Sequence, residues 1–257
     1  MRAQVFPIEP RGRKTWDALI AIDFPIPPSK PGAGPHEREF GAVLQKGPNV
    51  VKEFARAVRI ELPAGRLEFL EPATLSPGAH TLTAVLSGLE GGDPFTVHME
   101  LTIPEIPTRR PFLVGPMLGR HGGADVVIMG GEDRRGAPVD RVGSKESFRP
   151  HLVTEFDRTQ PLAAFTLACV GKRGAKQGPW RVRRRLDTAS GKETVTSEEA
   201  IFAGIDKQPM SCEQYFDEVA VSGLAPGPYA FTAVIGKGDG KSVPAIETRT
   251  SSLLLTP

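Results

Sequence analysis

The sequence predicts an all-β chain folded as two tandem β-sandwiches joined by a short Pro-rich linker. Three observations predict it. Gly (28) and Pro (25) make up about a fifth of the 257 residues, well above the usual share of roughly 12%. They are spread along the chain, which favours many short strands joined by turns over long helices. The apolar residues fall in short runs that alternate with polar ones, the period of a half-buried strand. Finally, one twelve-residue pattern occurs twice. With 39% hydrophobic and 24% charged residues, the chain can build cores and is not disordered throughout.

The repeated segment is the strongest of these signals. Leu75-Ser76-Pro77-Gly78-Ala79-His80-Thr81-Leu82-Thr83-Ala84-Val85-Leu86 returns 149 residues later as Leu224-Ala225-Pro226-Gly227-Pro228-Tyr229-Ala230-Phe231-Thr232-Ala233-Val234-Ile235. Pro fixes φ and Gly supplies a positive φ, so Pro-Gly makes a tight turn. The residues after the turn alternate: His80, Leu82, Ala84 and Leu86 share one face, and Thr81, Thr83 and Val85 the other. A polar, Gly-rich turn then leads to a closing strand, Phe95–Ile103 in the first half and the strand through Ser251–Leu255 in the second. Strand, hairpin and last strand is how sandwiches of the immunoglobulin and fibronectin type III kind finish. Tyr229 stands where those folds carry a tyrosine corner, and His80 holds the equivalent place. The expected domains are an N-terminal sandwich over 1–107 and a C-terminal sandwich over 108–257, with the three prolines of Ile103–Pro111 as a short stiff linker.

Further strands are expected at Trp16–Phe24, Arg38–Gln45, Val50–Leu62 and Arg66–Leu70. In the second half they are expected at Asp125–Met129, Leu152–Phe156, Leu162–Val170, Trp180–Leu186, Glu193–Phe202 and Glu218–Val221. Val51–Arg59 also reads as two helical turns, but its β-branched flanks favour a strand. Ser197–Gly204 has room for one helical turn.

The Trp16 strand, the proline-rich turn, the L-x-P-G-x-[HY] strand and the Val/Ile-Pro linker together resemble a known region. It lies downstream of the integrin-like domain in acidobacterial von Willebrand factor A-related proteins. The resemblance covers most of the chain. It implies tandem immunoglobulin- or fibronectin type III-like modules in the periplasm or at the cell surface. The D-x-S-x-S metal motif of the von Willebrand domain is absent, so the resemblance carries no metal site, and no cofactor is expected. The N-terminus has no apolar run of 7–15 residues to act as a signal-peptide core, which leaves a cytoplasmic location open.

Charge and motifs exclude several function classes. Thirty-two basic and 30 acidic side chains give +2, too balanced for a dedicated nucleic-acid binder. No run approaches the roughly 18 apolar residues of a membrane helix. Gly236–Ser242 is one residue short of a phosphate loop and lies between strands. His36-Glu37-Arg38-Glu39-Phe40 places Phe where a zinc site needs its second His. His121-Gly122-Gly123 has no G-x-S-x-G to serve. Gly130–Asp133 with Asp140 offers carboxylates for calcium, but Arg134, Arg135 and Arg141 stand among them. His80 and His98 are a conceivable metal pair across the first hairpin. Cys169 and Cys212 read as two half-buried thiols, with a disulfide as the alternative.

One uneven charge distribution remains. Lys172–Arg185 carries seven basic residues and no acid. On a strand Arg181, Arg183 and Arg185 share a face, Trp180, Val182 and Leu186 take the other, and Arg184 breaks the pattern, as expected near a strand end. Gly191 would turn this strand onto Glu193–Phe202, bringing Glu193, Glu198 and Glu199 within reach as partners. The expected function is a non-enzymatic structural or protein-binding module of a bacterial cell-envelope or extracellular assembly, with protein partners or self-assembly and no nucleic acid. The alternative is a carbohydrate- or polyanion-binding module using Trp180, Arg181, Arg183 and Arg185.

Overall fold

A computed structural model describes residues 2–25, 36–60, 66–87, 93–121, 126–129, 148–188, 190, 193–196, 200–202, 210–237 and 245–257. The chain divides into two units. One comprises Met1–Pro7, Lys14–Glu105 and Gly123–Arg141, the other Ile8–Arg13, Ile106–Gly122 and Val142–Pro257.

Seven strands arise in order before the linker: β1 (Arg2–Arg11), β2 (Thr15–Pro25), β3 (His36–Lys46), β4 (Asn49–Ile60), β5 (Arg66–Leu75), β6 (Gly78–Leu86) and β7 (Phe95–Ile103). They form two sheets, β4-β3-β6-β7 and β1-β2-β5, the latter extended by β9 (Val126–Met129) parallel to β5. One inner face of β2 carries Ala18, Ile20, Ile22 and Phe24, all buried. Phe24 meets Phe40 of β3 edge-on at 5.5 Å, and Phe54 of β4 stacks on Phe69 of β5 at 5.4 Å. Rings from both sheets thus fill one core, and such pairs add about 0.5–1.5 kcal/mol beyond area burial. The indole N–H of Trp16 donates to the Pro104 carbonyl at 2.8 Å, fastening β2 to the segment after β7. Period two prevails over the helical reading of Val51–Arg59, because β4 pairs with β3 along its length.

The second unit has the sheets β10-β8-β12-β16 and β11-β18-β17-β13-β14, with β15 also on β13. Its strands are β8 (Phe112–His121), β10 (Phe148–Pro150), β11 (Glu155–Asp157), β12 (Leu162–Gly171), β13 (Trp180–Thr188), β14 (Glu193–Thr196), β15 (Ala200–Phe202), β16 (Met210–Val219), β17 (Gly227–Gly236) and β18 (Ala245–Thr256). A single helical turn, α1 (Lys172–Ala175), precedes β13. The repeated segments occupy matching places: β6 lies between β3 and β7, and β17 between β13 and β18. Gly78 and Gly227 both adopt positive φ, 114° and 151°, as the Pro-Gly turn requires.

The structure differs from the sequence reading in several strands. β1 holds Pro7 and Pro10, which hide it in the sequence; an edge strand tolerates both. Pro116 is accommodated in β8 where the register with β12 shifts between Phe165 and Leu167. Of the expected strand Glu218–Val221 only Glu218 and Val219 are strand, as the end of the longer β16. Nor are the units two uninterrupted lengths of chain, since β9 follows the linker yet adds to β5. Most of the possible helical turn at 197–204 lies outside the described residues; Ala200–Phe202 within it is strand.

Candidate functional site

Strand alternation decides what β13 presents. Trp180, Val182, Arg184 and Leu186 point into the sandwich, all buried. The Trp180 indole N–H donates to the Gly174 carbonyl of α1 at 3.2 Å. Trp180 therefore belongs to the core and offers no ring face to a sugar. Arg181, Arg183 and Arg185 take the outward face, roughly 6.6 Å apart along the strand. Facing them on β17 are Gly236, Val234 and Thr232, and the Thr232 hydroxyl lies 3.3 Å from that of Thr250 on β18. Small residues thus floor the face and arginines form one row across it. The Arg185 Nε approaches Asp187 Oδ2 at 2.9 Å as an ion pair without hydrogen-bond alignment.

Arg184 sits mid-strand and inward, not near a strand end as the sequence suggested. Its Nε donates to Asp217 Oδ2 of β16 at 2.7 Å, with the two side chains 6% and 8% exposed. Its guanidinium lies 4.5 Å from the Tyr215 ring centroid, within cation–π range. The Tyr215 hydroxyl donates to Glu213 at 3.1 Å. Burial pushes the Tyr215 phenol well above its ordinary range, and the Glu213 carboxylate adds to the shift, so Tyr215 is no base near neutrality. Sequence reasoning missed this group, although Arg184 shares its parity with Trp180, Val182 and Leu186.

Other expected constellations resolve differently. Glu193 pairs in register with Asp187, a like charge, and not with an arginine; Glu198 and Glu199 lie outside the described residues. His80 points into the core, where Nδ1–H donates to the Gly78 carbonyl at 3.1 Å. His98 is exposed on the opposite face beside Thr83 Oγ1, so the two histidines form no metal pair. Burial lowers the His80 pKa from 6.5, and the Lys46 ammonium lowers it further. Cys169 and Cys212 face each other across β12 and β16, with Cα atoms 4.1 Å apart, and form a disulfide. Their reading as thiols is thereby corrected: directly opposed residues of an antiparallel pair stand close enough to bond. The tyrosine corner is present, with Tyr229 OH donating to the Ala225 carbonyl at 2.9 Å. The residues proposed for calcium at 130–133 and 140 lie outside the described residues, as do 238–242 of the near phosphate loop. Among the described residues no three His, Cys, Asp or Glu side chains gather as a metal site would need. No helix among them is long and apolar enough to cross a membrane.

No family model matches the chain, and no curated protein does. Solved structures similar to it include a putative β-galactosidase from Bacteroides fragilis, at 8% identity and TM-score 0.30 over 96% of this chain and 34% of that one. Others are fibronectin(III)-like modules of CbhA from Clostridium thermocellum (10% identity, TM-score 0.23, 95% and 86% covered) and the calcium binding domain CBD12 of CALX1.1 (9%, 0.24, 95% and 76%). This chain spans about a third of the first of these. Likeness at this level bears on no activity or ligand. Strand order itself marks the chain as all-β, with immunoglobulin- or fibronectin type III-like sandwiches.

Proposed function

We propose that the chain is a non-enzymatic structural or protein-binding module of a bacterial cell-envelope or extracellular assembly. The observation that carries this reading is the outward face of β13, β17 and β18, where Arg181, Arg183 and Arg185 stand over small residues. A sheet face with one charged row suits contact with another surface. The side chains able to do chemistry nearby, Arg184, Asp217 and Tyr215, are instead engaged with one another in the interior. The Cys169–Cys212 disulfide supports a location outside the cytoplasm, since disulfides persist in oxidising compartments. The link to acidobacterial von Willebrand factor A-related proteins enters only through the sequence pattern. A broad screen for ester, glycoside and phosphate hydrolysis is expected to show nothing above buffer. Turnover that disappears on substitution of one acid or histidine would overturn the reading.

A second reading rests on the same arginine row: binding of a polyanion by Arg181, Arg183 and Arg185. The buried Trp180 removes the stacking platform a sugar site would use. Heparin retention of the wild type against Arg181→Ala/Arg183→Ala tests it, and equal elution disposes of it.

A further inference from the structure

The two units present corresponding sheet faces, and their charges are opposite. In the first unit, Gly41 and Val43 of β3, Ala55 of β4 and Val85 of β6 form the low centre of the outward face of β4-β3-β6-β7. Around them stand Glu39, Glu53 and Glu100, all exposed. Among the described residues these three carboxylates form no ion pair, and the cation that the register places at an outward position of these strands is Arg59 of β4, opposite Glu37. The corresponding sheet of the second unit carries Arg181, Arg183 and Arg185 over Gly236, Val234 and Thr232, with Asp187 next on the same face and paired with Arg185, so the row keeps a net positive charge. In both sheets the repeated strand is flanked by the strand that closes its hairpin and by one earlier strand, β7 and β3 beside β6, β18 and β13 beside β17.

We propose that the acidic face of β4-β3-β6-β7 in one copy docks against the arginine row of β13 in a second copy, joining molecules head to tail. The proposal deepens the reading as an assembly module and rests on it. It needs the opposite signs of the two faces, and does not require the guanidinium groups to lack partners within their own chain. Because the two docking surfaces differ, the contact is heterologous and propagates into chains or closes into rings. Its size sets its strength. Four strands about 4.8 Å apart and about seven residues long give roughly 400–450 Å² per partner, about half the roughly 800 Å² of a standard stable interface. The contact is therefore weak and strongly salt-dependent, since exposed charges are screened beyond about 8 Å at physiological ionic strength.

Sedimentation equilibrium of the full chain tests this over micromolar to near-millimolar concentration. Wild type is expected to rise above its 27.6 kDa monomer mass in low salt and to fall back in 0.5 M NaCl. Glu39→Lys/Glu53→Lys/Glu100→Lys has two positive faces and stays monomeric. Arg181→Glu/Arg183→Glu has two negative faces and also stays monomeric. An equimolar mixture of the two variants associates again, an outcome that general destabilisation would not produce. Far-UV circular dichroism melts verify that both variants are folded. Should the reversals melt, Glu39→Gln/Glu53→Gln/Glu100→Gln takes their place, with salt-insensitive monomer expected. Wild type that remains monomeric at every concentration in low salt overturns the proposal, as does association surviving both reversals. Heparin retention through the arginines by a wild type that stays monomeric overturns it in favour of a polyanion. A monomeric result leaves the non-enzymatic reading standing, because that is judged by the hydrolysis screen.

Discussion

Removing one partner of the Arg184–Asp217 pair should destabilise the second unit far more than removing both. The side chains are 6% and 8% exposed and meet at 2.7 Å, so they fall in the buried regime and not the surface regime of about 0–1 kcal/mol. Asp217→Ala leaves a guanidinium inside the sandwich against Tyr215, at a cost of about 3–5 kcal/mol. For a unit of this size that lowers Tm by roughly 10–20 °C. Arg184→Met/Asp217→Leu replaces both charges with apolar volume and should lie near wild type or above it. The assay is urea unfolding followed by tryptophan fluorescence. The two tryptophans divide between the units, so a Trp16→Phe background leaves Trp180 as the reporter of the second. A cost below about 1 kcal/mol for Asp217→Ala would mean that the pair is solvated. A double variant as unstable as the single would mean that shape, and not charge compensation, holds the strands.

Three smaller effects have their origin in the same structure. Tyr229→Phe deletes the hydrogen bond to Ala225 and should cost about 0.5–1.5 kcal/mol in the second unit, read by the same Trp180 signal; an unchanged midpoint contradicts it. His80 has a folded pKa below its unfolded 6.5, so the unfolded chain takes up its proton first as pH falls. The stability it supports is intact above 6.5 and lost toward the folded value; Trp16 fluorescence should report this loss, and His80→Tyr should flatten it. Native protein should react with no thiol reagent at Cys169 or Cys212, and reduction should cost up to about 4 kcal/mol on the chain-entropy model for a separation of 43 residues. Two titratable thiols in the folded, unreduced chain would contradict the pairing.

How much could be read in advance depended on whether period two was visible. In β6 and β17 the inward residues are apolar or aromatic apart from His80, so the alternation and the turn before it identify both strands. β16 escaped because its inward positions include Ser211, Tyr215 and Asp217, and a polar inward set reads as surface. The same cause concealed the buried pair, since Arg184 makes sense inside only when Asp217 is known to face it. The outward row of Arg181, Arg183 and Arg185 was legible from spacing alone. Its acidic counterpart was not, because Glu39, Glu53 and Glu100 come from three strands that only the sheet brings onto one face. The disulfide likewise depends on register, which placed Cys169 opposite Cys212.

Cross-strand nuclear Overhauser contacts of the folded chain test most directly whether β6 and β17 each lie at the centre of a separate sandwich sheet. Contacts should join Ala84 to Ala42 and Val97, and Ile235 to Val182 and Glu247. Contacts between β6 and β17 themselves, as in one continuous sheet, would contradict a pair of separate sandwiches.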